Sequence, residues 1–342
     1  MNNKVMFTLL ICFIFAVCLI FIATYKYSSF DRKKDALKKV YLRLSWETQS
    51  QFAGYYVAKY LGLYNEEGLD VIIRTSLNNV NISATVANGI DHFGDISLEN
   101  LITDINNRDY PIKNVAQIFQ DLDIVLLTRK EDNINELKDF NGKTYATWWG
   151  KNDVMLRTLF KKHNIPLDVV FYSGPWSLDL FINKTVAIVP AFYANEYHSV
   201  LMSGYKESDL KIFKYKDYNM NFPSGCIITS DKLISKNPLL VSKFLRASIK
   251  GWEYALAHKE ETVDIMLHYA KLNKEHEAFM LDVFENNILK KEKNHFIGKH
   301  NKTRIQETIN YLQEAGQISN NVTMNKIIHD DFINKIGAEI LE

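Results

Sequence analysis

The residues of this 342-residue chain that could do chemistry are flat aromatics, carboxylates and a serine, each placed just after an expected β-strand. Trp46 closes the first strand, Asp95 and Ser97 close the third, Trp148 and Trp149 close the first strand after Gly142, and Glu196 follows a strand at residues 187–189. Open α/β sheets bind their ligands at the carboxyl ends of their strands. Aromatic faces beside a carboxylate suit a planar, nitrogen-rich ligand, which is stacked by the rings and hydrogen-bonded by the acid. Each residue also has a plain structural role open to it. Trp46 could be core, Asp95 a loop residue, Ser97 a helix cap, Trp148 a sheet-packing residue, and Glu196 a first-turn acid favoured by its helix dipole. Their convergence on strand ends favours binding.

Signatures of catalysis are missing. The chain contains no G-x-G-x-x-G after a strand, no P-loop and no G-x-S-x-G. Its nine histidines form no H-E-x-x-H or H-x-H pair, so His92, His163 and His198 read as ordinary edge or surface residues. Ser224-Gly225-Cys226 has no paired histidine and reads as a turn entering a buried strand. The expectation is a binding protein with no catalytic residue, no metal site and no cofactor.

The elements that must position these residues follow from periodicity. Val40, Leu42, Leu44 and Trp46 alternate as a strand. Ala53, Tyr56, Val57, Tyr60 and Leu61 then recur at helical spacing, and Gly62 stops the helix. Strands are expected at residues 69–73, 92–96, 144–148, 169–172 and 187–189, and helices at 82–88, from 98 behind a Ser97 cap, at 153–163, before Asn183 and at about 195–202. That alternation is the pattern of an α/β fold with a largely parallel sheet. After a buried strand at 226–229 the chain turns helical, with a long helix opened by Asn237-Pro238 and another at 305–315 stopped by Gly316.

With 41 Lys+Arg against 40 Asp+Glu, the net charge of +1 argues against an electrostatically driven nucleic-acid binder. A composition of 47% hydrophobic and 24% charged residues can bury a core, and the length suggests about two domains. Cys12 and Cys18 lie in an apolar N-terminal run, leaving Cys226 as the only thiol of the body, so neither a disulfide framework nor a cysteine zinc site is available there. Residues 5–24 carry no charge and are long enough to span a bilayer. A small-x-small cleavage site is lacking, and Phe15-Ala16-Val17 before Cys18 is a poor lipoprotein box. The segment 1–32 is therefore expected to be an uncleaved signal anchor with a juxtamembrane linker. Lys26, Arg32, Lys33 and Lys34 after it oppose an external body by the positive-inside rule, although long domains translocate despite such a bias. The expectation is a body tethered to the cell membrane on its periplasmic or extracellular side.

Leu44-Ser45-Trp46, Gln51-Phe52-Ala53-Gly54-Tyr55-Tyr56-Val57-Ala58-Lys59, Leu61-Gly62-Leu63-Tyr64 and Glu67-Gly68-Leu69-Asp70-Val71 together resemble the opening of the thiamine-pyrimidine-synthase-like family of type II substrate-binding proteins. Phe93-Gly94-Asp95, Gln117-Ile118-Phe119-Gln120, the run from Leu137 to Lys143, and Asn195-Glu196 follow in the family's order, so the likeness covers about residues 40–318. The opening motif is specific, and the later ones are individually weaker. The resemblance implies a two-lobed type II periplasmic-binding-protein fold, with lobe one at about 40–125 plus 226–342, lobe two at about 126–225, and the ligand in the cleft between them.

It further implies the substrate-binding component of an ABC importer, with a permease as partner and a thiamine pyrimidine precursor or similar planar heterocycle as ligand. On the family pattern Trp46 stacks on the ring and Glu196 accepts from an exocyclic amine. Tyr55, Tyr193 and Asn195 join Asp95, Ser97 and Trp148 as further ligand-binding candidates. The family often has Tyr-Asn-Glu where this chain has Ala194-Asn195-Glu196, and Asp-Ala where it has Val186-Ala187; Tyr193 or Tyr197 would have to supply the missing aromatic. Two alternatives remain. A thiamine pyrimidine synthase needs a Schiff-base lysine and a cysteine-rich iron motif, yet no lysine lies between Thr75 and Asn88 and the body has one cysteine. A membrane-tethered ligand sensor would have to act through a partner, since nothing after Ile318 resembles a signalling module.

Overall fold

A computed structural model describes residues 37–341 apart from 77–79, 122–123, 149–152 and 291–294. The anchor expected at 1–32, the apolar run 5–24 and Trp149 lie outside the described residues. Among the described residues no helix is long and apolar enough to cross a membrane.

The strands are β1 (Lys38–Arg43), β2 (Leu69–Arg74), β3 (Phe93–Ile96), β4 (Ile112–Phe119), β5 (Ile124–Arg129), β6 (Thr144–Tyr145), β7 (Val170–Phe171), β8 (Ile188–Phe192), β9 (Leu210–Lys214) and β10 (Ser224–Ser230). They form not one sheet but two, each of five strands, in the orders β2-β1-β3-β10-β4 and β7-β6-β8-β5-β9. Within each sheet four strands run one way and the fifth runs antiparallel between its neighbours: β10 between β3 and β4, β5 between β8 and β9. The strands are thus largely parallel as expected, but in two sheets in place of one. Strands β4, β5 and β9 were not legible as period-two alternation. In β4 and β5 nearly every residue is buried, so both faces carry apolar side chains and the alternation disappears.

Around the sheets lie α1 (Ala53–Tyr60), α2 (Ile82–Ala87), α3 (Leu98–Arg108), α4 (Val154–Lys162), α5 (His198–Met202), α6 (Pro238–Ala257), α7 (Lys259–Tyr269), α8 (Lys274–Ile288), α9 (Lys302–Glu314) and α10 (Asp331–Leu341), with short turns between them. The starts are chemically marked. Asn81, Asp153, Asn237, Asn273 and Asn301 each accept a first-turn backbone N–H at the caps of α2, α4, α6, α8 and α9. Gly62 and Gly316 take positive φ where their helices stop, as expected. Ser97 occupies the cap position of α3, but its side chain makes no capping bond.

The first sheet's core is built on the crossing of α1 with α6, where Trp252 is fully buried. The helices touch through glycines. A Cβ at Gly54 would stand 2.2 Å from Trp252 Cγ, and one at Gly251 would stand 2.1 Å from the Gly54 carbonyl oxygen. Backbone cannot yield at that distance, so α1 is held at a fixed height over the sheet. Gly251→Ala is expected to cost about 1–3 kcal/mol or more through overpacking, read as a lower urea midpoint with an unchanged slope. An unchanged midpoint would show that the helices can part freely.

Candidate ligand-binding cleft

Between the two sheets lies a cavity of about 530 Å³. Its walls come from the segments after β1 (Ser45, Trp46, Gln49), after β2 (Ser76, Asn81) and after β3 (Ser97, Glu99), and on the far side from Trp148 after β6 and Phe192, Asn195 and Glu196 at the end of β8. The carboxyl ends of parallel strands in both sheets thus face one space, the geometry in which α/β sheets bind ligands. A second cavity of about 590 Å³ adjoins it, sharing Glu99, Asn100, Asp104, Arg108 and Trp148 and adding Arg157 and Gln317.

Two tryptophans flank the space, and each is presented in the same way. Asp95, 2% exposed on β3, accepts from Tyr55 Oη at 3.0 Å and Ser45 Oγ at 3.2 Å, and Ser45 precedes Trp46. On the other side buried Asp153 accepts from Tyr145 Oη at 2.5 Å and Thr147 Oγ1 at 2.9 Å while capping α4, and Thr147 precedes Trp148. Burial pushes the Asp95 carboxyl up to about 7 against the lowering effect of its two hydroxyl partners. Burial likewise raises Asp153. Tyr55 and Asp95 therefore lie beneath the wall and do not line the cavity; they fix the loop that does.

Trp46 is 39% exposed, whereas Trp252 is fully buried, so Trp46 is not a core tryptophan. Trp148 is half-buried against Trp176 and Phe192, with ring centroids 5.4 and 5.7 Å away. Tyr193 does not line the cavity: it stacks on Tyr197 at 4.6 Å. Both belong to a π-helical turn, Tyr193–Tyr197, that precedes α5 and also carries Asn195 and Glu196. Glu196 accepts from the Phe192 backbone N–H at 2.9 Å and from Asn195 Nδ2 at 3.2 Å, so the capping role and a place on the cavity wall coexist in one side chain.

Three contributors carried no sequence signal. His276 on α8 donates from Nε2 to Asn195 Oδ1 at 2.9 Å, which leaves its Nδ1 to accept from His198 Nδ1 at 2.7 Å. Burial holds both histidines below the usual range, His276 at about 4. Glu277, the next residue, accepts from the Ser50 backbone N–H at 2.6 Å, so one helix grips segments bordering both cavity walls. The third is Glu99 in the first turn of α3. It is 2% exposed, it lines both cavities, and neither carboxyl oxygen makes a well-formed hydrogen bond among the described residues. Burial pushes it up to about 7 against the weaker lowering effect of the nearby Ser97 hydroxyl and its own backbone N–H. Cys226 is buried with its thiol raised well above the usual range, an unreactive setting.

The raised pKa of Glu99 sets the sign of its pH dependence. Between its ordinary range and about 7 the folded chain holds a proton that the unfolded chain has released, so this group's contribution to stability falls as pH rises through that window. Glu99→Gln should therefore raise the melting temperature more at pH 8 than at pH 5.5. An equal gain at both values would mean that Glu99 ionises normally.

The NMT1/THI5-like family matches residues 49–262. The riboflavin-binding protein RibY of Chloroflexus aurantiacus is 24% identical over 245 residues, covering 68% of this chain and 67% of that protein. The formylaminopyrimidine-binding protein of Halalkalibacterium halodurans is 23% identical over 243 residues, with 68% and 71% covered. The 4-amino-5-hydroxymethyl-2-methylpyrimidine phosphate synthase of Schizosaccharomyces pombe is 24% identical over 248 residues, with 68% and 70% covered. Among solved structures, the periplasmic nitrate-binding protein NrtA of Synechocystis superposes with a TM-score of 0.67 at 14% identity over 90% of each chain, so the two α/β lobes are those of a periplasmic binding protein. With more than half of its length matched in family order, the chain belongs to the NMT1/THI5-like family.

Proposed function

We propose that this protein is the substrate-binding component of an ABC importer and takes a thiamine pyrimidine precursor or a similar planar heterocycle into the interlobe cleft without transforming it. The observation that carries the reading is an exposed Trp46 facing the same cavity as Trp148 and Glu196, at the carboxyl ends of strands from both lobes. A cavity of about 530 Å³ falls in the range of small-molecule sites. The relatives named for binding riboflavin and formylaminopyrimidine support a flat nitrogen heterocycle. The synthase relative supports the same ring chemistry, but here the missing lysine and cysteines weigh against synthesis. Within this reading the lobes divide at about residues 125 and 225, closure brings the tryptophans onto the ring, and the segment 5–24 tethers the body outside the cytoplasm beside a permease.

Calorimetry against pyrimidines, flavins, amino acids and sulfonates tests the class, and a protein that bound only a non-aromatic ligand would refute it. Trp46→Ala should weaken binding by about 1–3 kcal/mol, the scale of base–aromatic stacking, while the melting temperature stays near the parent value. An early-melting variant of full affinity would return Trp46 to a structural role.

Glu196→Gln keeps the shape but replaces a charged acceptor. If Glu196 accepts from a ligand amine, affinity should fall by about 1.5–3 kcal/mol. Loss of its bond to the Phe192 N–H alone would lower the melting temperature and leave affinity intact, which would remove Glu196 from recognition.

A further inference from the structure

Four polar atoms on the first-lobe wall of the cleft make no well-formed hydrogen bond among the described residues: Oγ of Ser76, Oγ of Ser97, and Oε1 and Oε2 of Glu99, whose carboxyl has only the poorly aligned Ser97 hydroxyl and its own backbone N–H nearby. Ser76 is 8% exposed and Glu99 2%. Buried polar groups without partners are destabilising, and native proteins leave few of them. Three such side chains converging on one cavity are a cost that a bound molecule would relieve. Glu99 is the most demanding of the three, because a carboxyl has two oxygens to satisfy and no cation among the described residues forms an ion pair with it. Its charged neighbours argue the same way. Arg108 on its own helix is taken by Asp104 at 2.9 Å, and Asp153 across the cleft opposes a second negative charge.

We propose that Glu99 is a ligand-recognition carboxyl that pairs with the amidine edge of a planar nitrogen heterocycle, one in which an amino group adjoins a ring nitrogen. The inference rests on the interlobe binding reading above and adds the specificity-determining group. A neutral carboxyl matches that edge with two antiparallel hydrogen bonds: its O–H donates to the ring nitrogen, and its other oxygen accepts from the amine. The hydroxyls of Ser97 and Ser76, which can each donate or accept, serve substituents at the ring's margin. A heterocycle with hydrogen in place of the amine leaves the carboxyl's second oxygen unmatched and is disfavoured. The role differs from that of Glu196, whose oxygens already hold the Phe192 N–H and the Asn195 amide.

The test is calorimetry on the purified protein with 4-amino-5-hydroxymethyl-2-methylpyrimidine and its counterpart carrying hydrogen in place of the 4-amino group, using the parent, Glu99→Gln and Glu99→Leu. The parent should prefer the amino probe by about tenfold to a hundredfold, the worth of one or two well-placed buried hydrogen bonds. Glu99→Leu should abolish that preference and still melt at or above the parent temperature, since it removes an unpaired carboxyl. Glu99→Gln, whose amide offers the same acceptor and donor side by side, should keep the preference. An affinity ratio between the two pyrimidines unchanged in Glu99→Leu overturns the inference and leaves the binding reading standing. Failure of the parent to bind either pyrimidine, or any flavin, overturns both.

Discussion

The cleft depends on two buried carboxyls, each gripping a tyrosine hydroxyl and the side chain that precedes a tryptophan. Asp95 takes Tyr55 and Ser45; Asp153 takes Tyr145 and Thr147. Hydroxyl donors stabilise both acids, joined at Asp153 by the Leu156 backbone N–H and the charge of nearby Arg157, and burial raises both pKa values. Short polar side chains make such loops rigid, because the alternative is an unsatisfied acid in the interior. Trp46 and Trp148 are therefore held from behind, and both line the cavity.

The two lobes are built on one plan. Each sheet has the same strand order, with four strands in one direction and one antiparallel strand inserted between the third and the edge. The antiparallel members, β5 and β10, are the strands by which the chain enters the second sheet and returns to the first. Because a parallel strand's carboxyl end is where its loop to the next helix begins, two such sheets set edge to edge give one cavity a double set of loops. Helix α8 spans the joint, with Glu277 on the Ser50 backbone and His276 on Asn195 and His198. A neutral histidine pair serves there, since two imidazolium ions at that separation would repel strongly.

Function at this cleft runs against stability. Glu99, Ser76 and Ser97 leave buried polar atoms unmatched, while Asn81, Asp153, Asn237, Asn273 and Asn301 are all satisfied at helix starts away from it or beside it. The π-helical turn at Tyr193–Tyr197 belongs to the same pattern, for such turns are uncommon and gather at functional sites.

The sequence by itself determined the strand-ends that matter, the helix caps and stops, and the family likeness, because these rest on local spacing and on residue types with strong backbone preferences. Trp46, Ser97, Trp148, Asn195 and Glu196 all reach the cavity wall, and Gly62 and Gly316 end the helices they were expected to end. Only the tertiary structure decided that Tyr55 and Asp95 stand behind the wall, that Tyr193 stacks on Tyr197, and that strands β4 and β5, buried on both faces, belong to different sheets. Glu99 shows the reason most clearly. In the sequence it is a first-turn acid like many others, favoured by its helix dipole. Whether such an acid meets water, a cation or an empty cleft depends on residues more than a hundred positions away as well as on its neighbours, and no local pattern encodes that encounter.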